Sequence, residues 1–493
     1  MPSLAHAFKK EEVASFSPSL PIILCLTCTF FVSTFLIDHS YVDNASFASQ
    51  NVFIVGIAGA IYLYIVVTSA LLERRLNFFM VFVALSFLFY FGQQTLYAFG
   101  EESYASAVSI YLRRGGITER DLFEAGLFSC QSILAIYIGY LAFKLRKFRP
   151  SRQKNIDDSA LEKKALRNAC LVLFWILLIP TLIDLYRNIN LTMTIGYGER
   201  IMSGESSSGI FNILSSMMPY VLIGLVLTKK EGERWQYILI IAYIALYTMQ
   251  GSRIRTFVLI GALLIIQLSC FPWKSRVKQG AFYLAIGVVA AIGFTLVSSV
   301  RQNVANGLPF FEAVFSSFAD KGEDGFVSSL LGEAGSTIAV LAAVLRYCPS
   351  PVPFACGASY LSGAAYVLPN ALNGNVFAEQ LSVDEVFAGF LTQSTGIGSS
   401  FVAEGYYNFG FFSLALFALF GIGFSWLCRT FDACVSGKKI MMVFICSAIF
   451  LIVLFYIRSD TRTFFRNAVW FVVPIYLFAR VLYMRMRPQH KSE

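Results

Sequence analysis

Histidine is nearly absent from this chain of 493 residues, which contains only His6, His39 and His490. Because histidine is the commonest acid, base and metal ligand at neutral pH, the sequence argues against histidine-based catalysis and against a histidine-rich metal site. Walker and dinucleotide-binding fingerprints are absent as well. We therefore expect no bound cofactor and no metal. An acidic stretch with Asp320, Glu323 and Asp324 fits a divalent ion or, more simply, a solvated loop.

Charge is also scarce. Charged residues make up 14% of the chain and hydrophobic residues 57%, with a mean hydropathy of +0.65. Apolar runs of about twenty residues recur, which is the length that an α-helix needs to cross a bilayer. The sequence therefore predicts an all-α polytopic membrane protein. No basic segment with a small-residue cleavage site precedes the first run, so we predict an uncleaved first span.

The apolar runs predict about 12 transmembrane helices. One long segment separates the ninth span from the tenth, so we predict a membrane domain over residues 1–300, a large outer loop over 301–407 and a second membrane domain over 408–493. The predicted spans are Leu20–Ile37, Val52–Leu72, Phe78–Phe99, Leu127–Phe143, Ala169–Leu185, Ile210–Leu227, Trp235–Met249, Thr256–Trp273, Ala281–Val300, Phe409–Leu427, Ile440–Ile457 and Ala468–Met484.

Basic residues indicate the orientation of the chain, because cytoplasmic segments carry an excess of lysine and arginine. With the amino terminus inside, the inner segments hold 26 of the 39 basic residues and the outer segments hold 13. Both termini are therefore predicted to be cytoplasmic. The net charge of +9 then matches contact with anionic membrane lipids, and we expect no nucleic-acid partner.

The outer cations are almost all arginine: twelve arginines accompany the single Lys321, whereas 14 lysines and 12 arginines lie inside. A guanidinium group binds phosphate or carboxylate with two parallel hydrogen bonds, which a lysine ammonium cannot do. Chance drift in composition is the alternative explanation. The outer arginines are Arg113, Arg114, Arg120, Arg187, Arg200, Arg253, Arg255, Arg301, Arg346, Arg458, Arg462 and Arg466.

The outer loop contains two apolar pieces, Phe326 to Leu345 and Tyr360 to Leu372. Both are interrupted by small or polar residues, so we predict helices that lie at the membrane interface or re-enter it part way. Between them, Cys348 and Cys356 flank a proline-rich stretch. Their spacing on the oxidising side of the membrane makes a disulfide a possibility.

Two arginines also occur in the polar turn Gln250 to Arg255, which separates two apolar segments. Gly251 can end the first helix and a capping Ser252 can begin the next, but neither role explains Arg253 and Arg255. They could bind an anionic ligand or reach towards lipid phosphates. Arg301 lies where the ninth span emerges, and its alternative role is that of an interface anchor.

Arg458, Arg462 and Arg466 precede the last span at intervals of four residues, which would align them along one face of a helix. Such a row of like charges fits an anion, or else an ion-pair cluster with Asp460. The segment from Ser399 to Gly410 enters the tenth span and, if helical, places Glu404 on the same side as Tyr407 and Asn408. A carboxylate in this setting suits a general base, or a partner for one of the arginines. Glu333 is a second candidate base.

These features together resemble bacterial Wzy-type polymerases of O-antigen repeat units. The resemblance covers the number of spans, the Gly-Ser-Arg turn at 251–253, the Arg301 exit from the ninth span, the long outer loop and the Glu-Gly-Tyr-Tyr-Asn-Phe-Gly sequence at 404–410. It implies a GT-C-like glycosyltransferase of the bacterial inner membrane whose site faces the periplasm. The implied substrates are oligosaccharides on undecaprenyl pyrophosphate, and a chain-length regulator is the expected partner.

The residues fit this chemistry, because preorganised arginines stabilise the charge that develops on a departing pyrophosphate. We assign Glu404, Glu333 and Arg253 as catalytic candidates. The substrate-binding candidates are Arg200, Arg255, Arg301, Arg458, Arg462, Arg466, Tyr406, Tyr407 and Asn408. A lipid-linked oligosaccharide flippase would require two similar halves, which the sequence lacks. An O-antigen ligase would be expected to carry a histidine in the outer loop, and residues 301–407 contain none.

Overall fold

The computed structural model describes residues 19–37, 47–73, 76–99, 116–146, 156–195, 209–250, 253–271, 307–319, 335–368, 381–388 and 399–487, with isolated positions between them. Throughout this part of the chain the regular elements are helices, and no strand occurs. The helices are α1 (Ser19–Thr34), α2 (Phe47–Glu73), α3 (Phe78–Ala98), α4 (Glu119–Lys144), α5 (Ile156–Ile195), α6 (Ile210–Ser215), α7 (Met218–Leu227), α8 (Trp235–Met249), α9 (Arg253–Cys270), α10 (Phe310–Ala319), α11 (Thr337–Tyr347), α12 (Ala358–Ala365), α13 (Val383–Ala388), α14 (Phe401–Phe409), α15 (Ser413–Ser436), α16 (Ile440–Tyr456), α17 (Thr461–Asn467) and α18 (Val473–Met486).

Seven helical segments in the described residues are long and apolar enough to cross a membrane. They cover the second to sixth, the tenth and the twelfth predicted spans. The first, seventh, eighth and eleventh predicted spans form apolar helices of fewer than 18 residues over the range searched. The ninth, Ala281–Val300, lies outside the described residues except for two positions. The chain is thus an all-helical polytopic protein, and the total of 12 spans and the three-part division stay predictions.

Local sequence sets where the well-defined helices begin. Asn77 accepts a hydrogen bond from the Met80 amide at the start of α3, at 3.0 Å. At the start of α4, Thr118 and Asp121 each bind the other's backbone amide, which forms a capping box. Such caps satisfy amides that have no partner within the helix and stabilise it by about 1 kcal/mol each. The polar residues just before these two apolar helices therefore define their first turns.

Helix α4 forms the centre of the bundle and is buried along most of its length. It packs against α15, where Gly139 lies against the backbone of Ala418, and Gly421 lies against the backbone of Ile136. Small residues let two membrane helices approach closely enough for their backbones to touch. Next to this crossing, the ring of Phe79 stacks on Tyr140 with centroids 4.1 Å apart. Aromatic pairs of this kind add about 0.5–1.5 kcal/mol beyond the area they bury.

Polar contacts identify one end of the bundle, which we call the Glu73 end. Tyr140 donates a 2.7 Å hydrogen bond to Glu73, and Lys144 forms an ion pair with the same carboxylate. Arg429 donates to three carbonyl groups at the carboxyl end of α4. A cation at this position also interacts favourably with the helix dipole. These contacts fix the ends of α2, α4 and α15 to one another.

A second clamp at the Glu73 end joins α5 to the loop between α7 and α8. Arg167 donates two 2.8 Å hydrogen bonds to the carboxylate of Glu233. This guanidinium, helped by the amide of Lys230, lowers the pKa of Glu233 from 4.5 to about 2. The bidentate geometry is the strongest form of the arginine–carboxylate pair. The loop is thus held to α5 while the carboxylate stays ionised.

The opposite end of the bundle, which we call the Arg462 end, follows from the path of α5 and α18. Ser159 near the start of α5 donates to the carbonyl of Lys438, just beyond the end of α15, and Tyr483 of α18 donates to Asp158. The start of α5 and the end of α18 therefore lie at the Glu73 end, so α17 and the far end of α5 lie at the opposite end. Among the described residues, the lysines lie at the ends of α4, α7 and α15 and near the start of α5, which are at the Glu73 end. The described cations at the Arg462 end are all arginine: Arg120, Arg187, Arg346, Arg458, Arg462 and Arg466.

Two short helices of the predicted outer loop pack at the Arg462 end. Helix α11 has 11 residues, too few to cross a bilayer, and is buried from Thr337 to Val344 against α4 and neighbouring helices. Helix α12 packs against α17. The two helices overlap the apolar pieces that the sequence predicts to be interfacial or re-entrant, and each extends two residues beyond its piece. Their depth in the membrane stays a prediction.

The segment that continues from α17 to α18 contains a widened π-turn over Ala468–Val472. A π-turn takes in one residue more than an α-helical turn and is often found at functional sites. Trp470 lies on it and donates a 2.8 Å hydrogen bond to the carbonyl of Val367, two residues beyond α12. The turn therefore connects α17 to the chain that leaves α12.

Candidate active site

Three arginines lie between α16 and α18. Arg462 and Arg466, on α17, place their guanidinium carbons 5.2 and 6.0 Å from the ring centre of Tyr366, so both are within cation–π distance of one ring. Arg458 lies in the turn after α16 and donates a 3.0 Å hydrogen bond to Ser336. The predicted alignment along one helix face therefore holds for Arg462 and Arg466. It is wrong for Arg458, because α17 begins only at Thr461.

Asp460 determines both the start of α17 and the direction of Arg462. One of its carboxylate oxygens accepts a 2.9 Å hydrogen bond from the Thr463 amide, which caps the helix. The other lies 3.2 Å from Nε of Arg462. A carboxylate at a helix amino terminus is stabilised by the helix dipole as well as by these hydrogen bonds. The Arg462 side chain is thus held at its Nε by the residue that caps α17.

Glu385, on α13, is the second carboxylate beside Arg462. Its Oε1 lies 3.6 Å from Nη1 of Arg462, which is longer than a normal hydrogen bond of about 2.7–3.2 Å. The Glu385 side chain is 40% exposed, whereas that of Asp460 is 6% exposed. Glu385 is therefore a carboxylate that lies beside Arg462 and is partly open to solvent.

Glu404 is buried with 3% exposure, on helix α14. Ser400 caps that helix by accepting from the Ala403 amide. The Oε2 atom of Glu404 accepts hydrogen bonds from the amide and hydroxyl of Thr461, both at 2.8 Å, and from Tyr456 at 3.3 Å. Its Oε1 atom accepts from Ser359 at 3.0 Å. The carboxylate thus joins α14 to α12 and to the first turn of α17.

Asn408 extends the same network and is 1% exposed. Its amide nitrogen donates to Ser359 and to the carbonyl of Glu404, both at 2.7 Å, and its side-chain oxygen accepts from the Gly357 amide at 2.9 Å. Backbone bonds from Ala355 and Cys356 to the carbonyls of residues 407 and 408 complete the contact. These bonds occupy Asn408 in holding the 355–359 segment, so the structure does not favour the predicted contact with sugar.

The rings of Tyr406 and Tyr407 are almost fully buried. Tyr406 packs edge-on against Phe128, and Tyr407 packs edge-on against Phe387, with centroids 5.1 and 5.5 Å apart. Their faces are therefore occupied by protein, and the stacking on sugars that we expected of them is not available in this arrangement. Tyr360 of α12 is partly buried, and this burial, followed by the nearby charge of Glu404, raises the pKa of its phenol, which stays protonated.

Gly363 lies directly against the backbone of Arg462. A Cβ atom built on Gly363 of α12 would lie 2.9 Å from the backbone nitrogen of Arg462, and 3.2 Å from the carbonyl carbon of Thr461. Any side chain at this position would push α12 away from α17. The absence of one lets Tyr366, one turn further along, come within reach of both arginines.

The two cysteines in the proline-rich stretch are free thiols in the structure. Cys348, at the end of α11, is buried, whereas Cys356 is exposed, so the two side chains face different surroundings. Burial raises the pKa of the Cys348 thiol to about 11, which keeps it protonated and weakly reactive. The predicted disulfide is therefore not formed in this arrangement.

Several other predicted site residues lie outside the described residues: Arg200, Arg301 and Glu333, with the alternative acidic group Asp320, Glu323 and Asp324. Arg253 is the first residue of α9, as a capping residue at position 252 would require, but the side chains of Arg253 and Arg255 lie outside the described part. The structure thus brings together Arg458, Arg462, Arg466, Glu404 and Asn408. It leaves the contribution of the other arginines a prediction.

The sequence analysis missed Tyr366, Ser359, Glu385 and Tyr456. Tyr366 and Ser359 belong to the outer-loop helix region whose apolar character suggested only an interfacial helix. Tyr456 ends an apolar span. Glu385 is one of several acidic residues in the outer loop and directly follows Asp384, and no motif marks its position in the sequence. Only the approach of α12, α13 and α17 makes these residues recognisable.

Comparison with known proteins identifies one family. Its model, described as O-antigen polysaccharide polymerase Wzy, matches residues 21–486, which is nearly the whole chain. No curated protein and no solved structure shows significant similarity to the chain.

Proposed function

The chain belongs to the O-antigen polysaccharide polymerase Wzy family, and from this premise we propose that it joins lipid-linked repeat units. The growing glycan is transferred from undecaprenyl pyrophosphate to the non-reducing end of an incoming undecaprenyl-pyrophosphate-linked unit. Atoms balance without a nucleotide sugar: the glycosyl–phosphate bond breaks, the glycosidic bond forms, and the acceptor hydroxyl loses a proton. The observation that carries this proposal is the pair Arg462 and Arg466 beside Tyr366.

The arginine pair suits a pyrophosphate because two guanidinium groups lie close together on one helix face. Like charges in this arrangement repel each other, and an anion between them removes that repulsion. Asp460 lies against Nε of Arg462, and the 3.6 Å contact between Nη1 and Glu385 is longer than a hydrogen bond, so a phosphate oxygen can compete for Nη1. Preorganised donors at the leaving group lower the barrier for breaking its bond.

The distribution of cations supports the orientation of the site. Lysines among the described residues lie at the Glu73 end, and positively charged segments remain in the cytoplasm during insertion. The Arg462 end then faces the periplasm of a bacterial inner membrane, with both termini cytoplasmic. Undecaprenyl-linked sugars in the outer leaflet would bring their pyrophosphate to this level. A GT-C-like arrangement and a chain-length regulator as partner follow from the family only as expectations.

The acceptor hydroxyl needs a proton acceptor, and we assign this role to Glu385. It combines proximity to Arg462 with a side chain that is 40% exposed. Glu404 carries four hydrogen bonds and is almost completely buried, so a sugar hydroxyl reaches it only if a protein contact breaks. General bases act within hydrogen-bond reach of the proton that they remove. This replaces Glu404, the first candidate from sequence, and leaves Glu333 as an alternative.

Deletion of the gene in its host tests the function. Lipopolysaccharide displayed on a gel should lose its ladder and retain core that carries a single repeat unit, and the cloned gene should restore the ladder. Loss of even the first unit would refute polymerisation, because a flippase or a ligase is needed for that unit to appear. An unchanged ladder would refute it as well.

A further inference from the structure

Glu404 occupies the centre of the polar network at the Arg462 end. We propose that it is a positioning residue, which holds Arg462 in place for the reaction and does not itself exchange a proton with substrate. This inference rests on the proposed function, because Arg462 is taken there as a pyrophosphate ligand. It concerns a different property, namely how the ligand is kept in position.

The first step of the argument is the first turn of α17. The opening amides of an α-helix have no partner within the helix and need outside acceptors. Glu404 accepts from the amide of Thr461, and Asp460 accepts from that of Thr463. Arg462 lies between Thr461 and Thr463 in the sequence. Two carboxylates, one of them from a distant helix, therefore fix the backbone from which the Arg462 side chain extends.

The second step concerns α12. The other oxygen of Glu404 accepts from Ser359, which lies one turn before Gly363 on that helix. Gly363 in turn lies against the backbone of Arg462. One carboxylate thus holds both helices that surround the arginine, and Tyr366 follows on the second of them. Displacement of Glu404 would shift the arginine and the aromatic ring together.

The third step is the chemistry of a glutamine at this position. Glutamine retains a carbonyl oxygen that can accept from Thr461, and its amide group can donate to the Ser359 hydroxyl, which has two acceptor positions. The network therefore tolerates Glu404→Gln with small movements. A general base does not tolerate it, because an amide cannot take up a proton at neutral pH. The same substitution thus separates the two roles.

The experiment measures initial polymerisation rates of purified variants with lipid-linked units. We expect the rate of the Glu404→Gln variant to be less than about tenfold below that of the wild type. The rate of the Glu404→Ala variant should be about 100-fold lower than that of the wild type, mainly through kcat. Misplacement of a catalytic group by about 1 Å lowers the rate by about this factor. The loss should depend on the arginine. In an Arg462→Ala background, Glu404→Ala should therefore change the rate by less than about threefold.

Glu233→Ala is the matched control, because it also removes a hydrogen-bonded carboxylate but at the Glu73 end. The factors by which Glu233→Ala and Arg462→Ala each lower the rate should multiply in the double variant, as expected for two independent sites. If Glu404→Gln is folded and as inactive as Glu404→Ala, the positioning role is refuted in favour of a base. Multiplicative losses for Glu404→Ala and Arg462→Ala would refute it too. If Glu404→Ala does not fold, the Glu404→Gln rate alone decides. A wild-type chain that makes no polymer would instead refute the proposed function.

Discussion

Arg462→Lys tests whether the fork of the guanidinium group, and not its charge alone, is needed. Lysine retains the positive charge but has a methylene carbon, Cε, where arginine has the Nε–H donor, so the 3.2 Å contact of Nε with Asp460 is lost. It also offers a phosphate one point contact where arginine offers two parallel hydrogen bonds. Asp460, Glu385 and Tyr366 lie around Arg462 on three sides. A lysine ammonium in this position cannot make two parallel hydrogen bonds to a phosphate group.

The size of the effect follows from one lost charge-assisted hydrogen bond, which is worth about 1.5–3 kcal/mol. At 1.36 kcal/mol for each factor of ten, kcat/KM should fall by about 10- to 150-fold. If the bond strengthens as the pyrophosphate leaves, most of this loss appears in kcat and little in KM. A loss confined to KM would show that the arginine binds substrate and product equally.

Arg346→Lys provides the matched control for this measurement. Arg346 lies at the same end, but its side chain is half exposed and 3.8 Å from Asp121, so its ion pair contributes little. The purified variants would be compared by initial rate and by thermal unfolding, which checks that each is folded. Full activity of Arg462→Lys would remove the fork from the mechanism. Equal losses in the two variants would show a general effect of surface charge.

Two further predictions concern other carboxylates. Glu385→Gln should lower kcat by about 100-fold or more, in the range that a general base contributes, while Glu385→Asp retains part of the activity; equal rates for Glu385→Gln and wild type would exclude the base. Glu233 has a folded-state pKa of about 2, below its value of 4.5 in the unfolded chain, so its stabilising effect is present above pH 4.5 and is lost as the pH falls towards 2. The thermal midpoint of the wild type should therefore fall more steeply between pH 6 and pH 3 than that of Glu233→Gln, and parallel curves would contradict the assigned clamp.

The sequence predicted the helical architecture well where hydrophobicity alone decides it. Helix α8 coincides with its predicted span, Trp235–Met249, because polar residues border the apolar run on both sides. The predicted boundaries of the spans were wrong where polar residues are buried. The tenth span was expected to start at Phe409, yet helical structure starts at Phe401, because α14 buries Glu404 and Asn408 in a polar network with other helices. Hydropathy cannot detect such a segment, since its polar groups are satisfied by partners distant in sequence.

The candidate site was predictable in part for the same reason. The spacing of four identified Arg462 and Arg466 as neighbours, since helix geometry alone brings them together. Their shared contact, Tyr366, lies almost a hundred residues earlier, and no local pattern joins the two segments. Glu404 was predicted from its sequence context as a general base, but its four hydrogen bonds come from residues that are distant in sequence. Residue type suggested the chemistry, and only the packing of α12, α14 and α17 shows which of these side chains are buried among protein partners.

The π-turn at Ala468–Val472 also sets a rotational phase between the arginine helix and the last membrane helix. Each residue of an α-helix turns the chain by about 100°, so removal of the one extra residue would rotate α17 against α18 by about that angle. Arg462 and Arg466 would then leave the ring of Tyr366 together, although no site residue had changed. The number of residues between Arg466 and α18 is thus under as strict a constraint as the identity of the arginines.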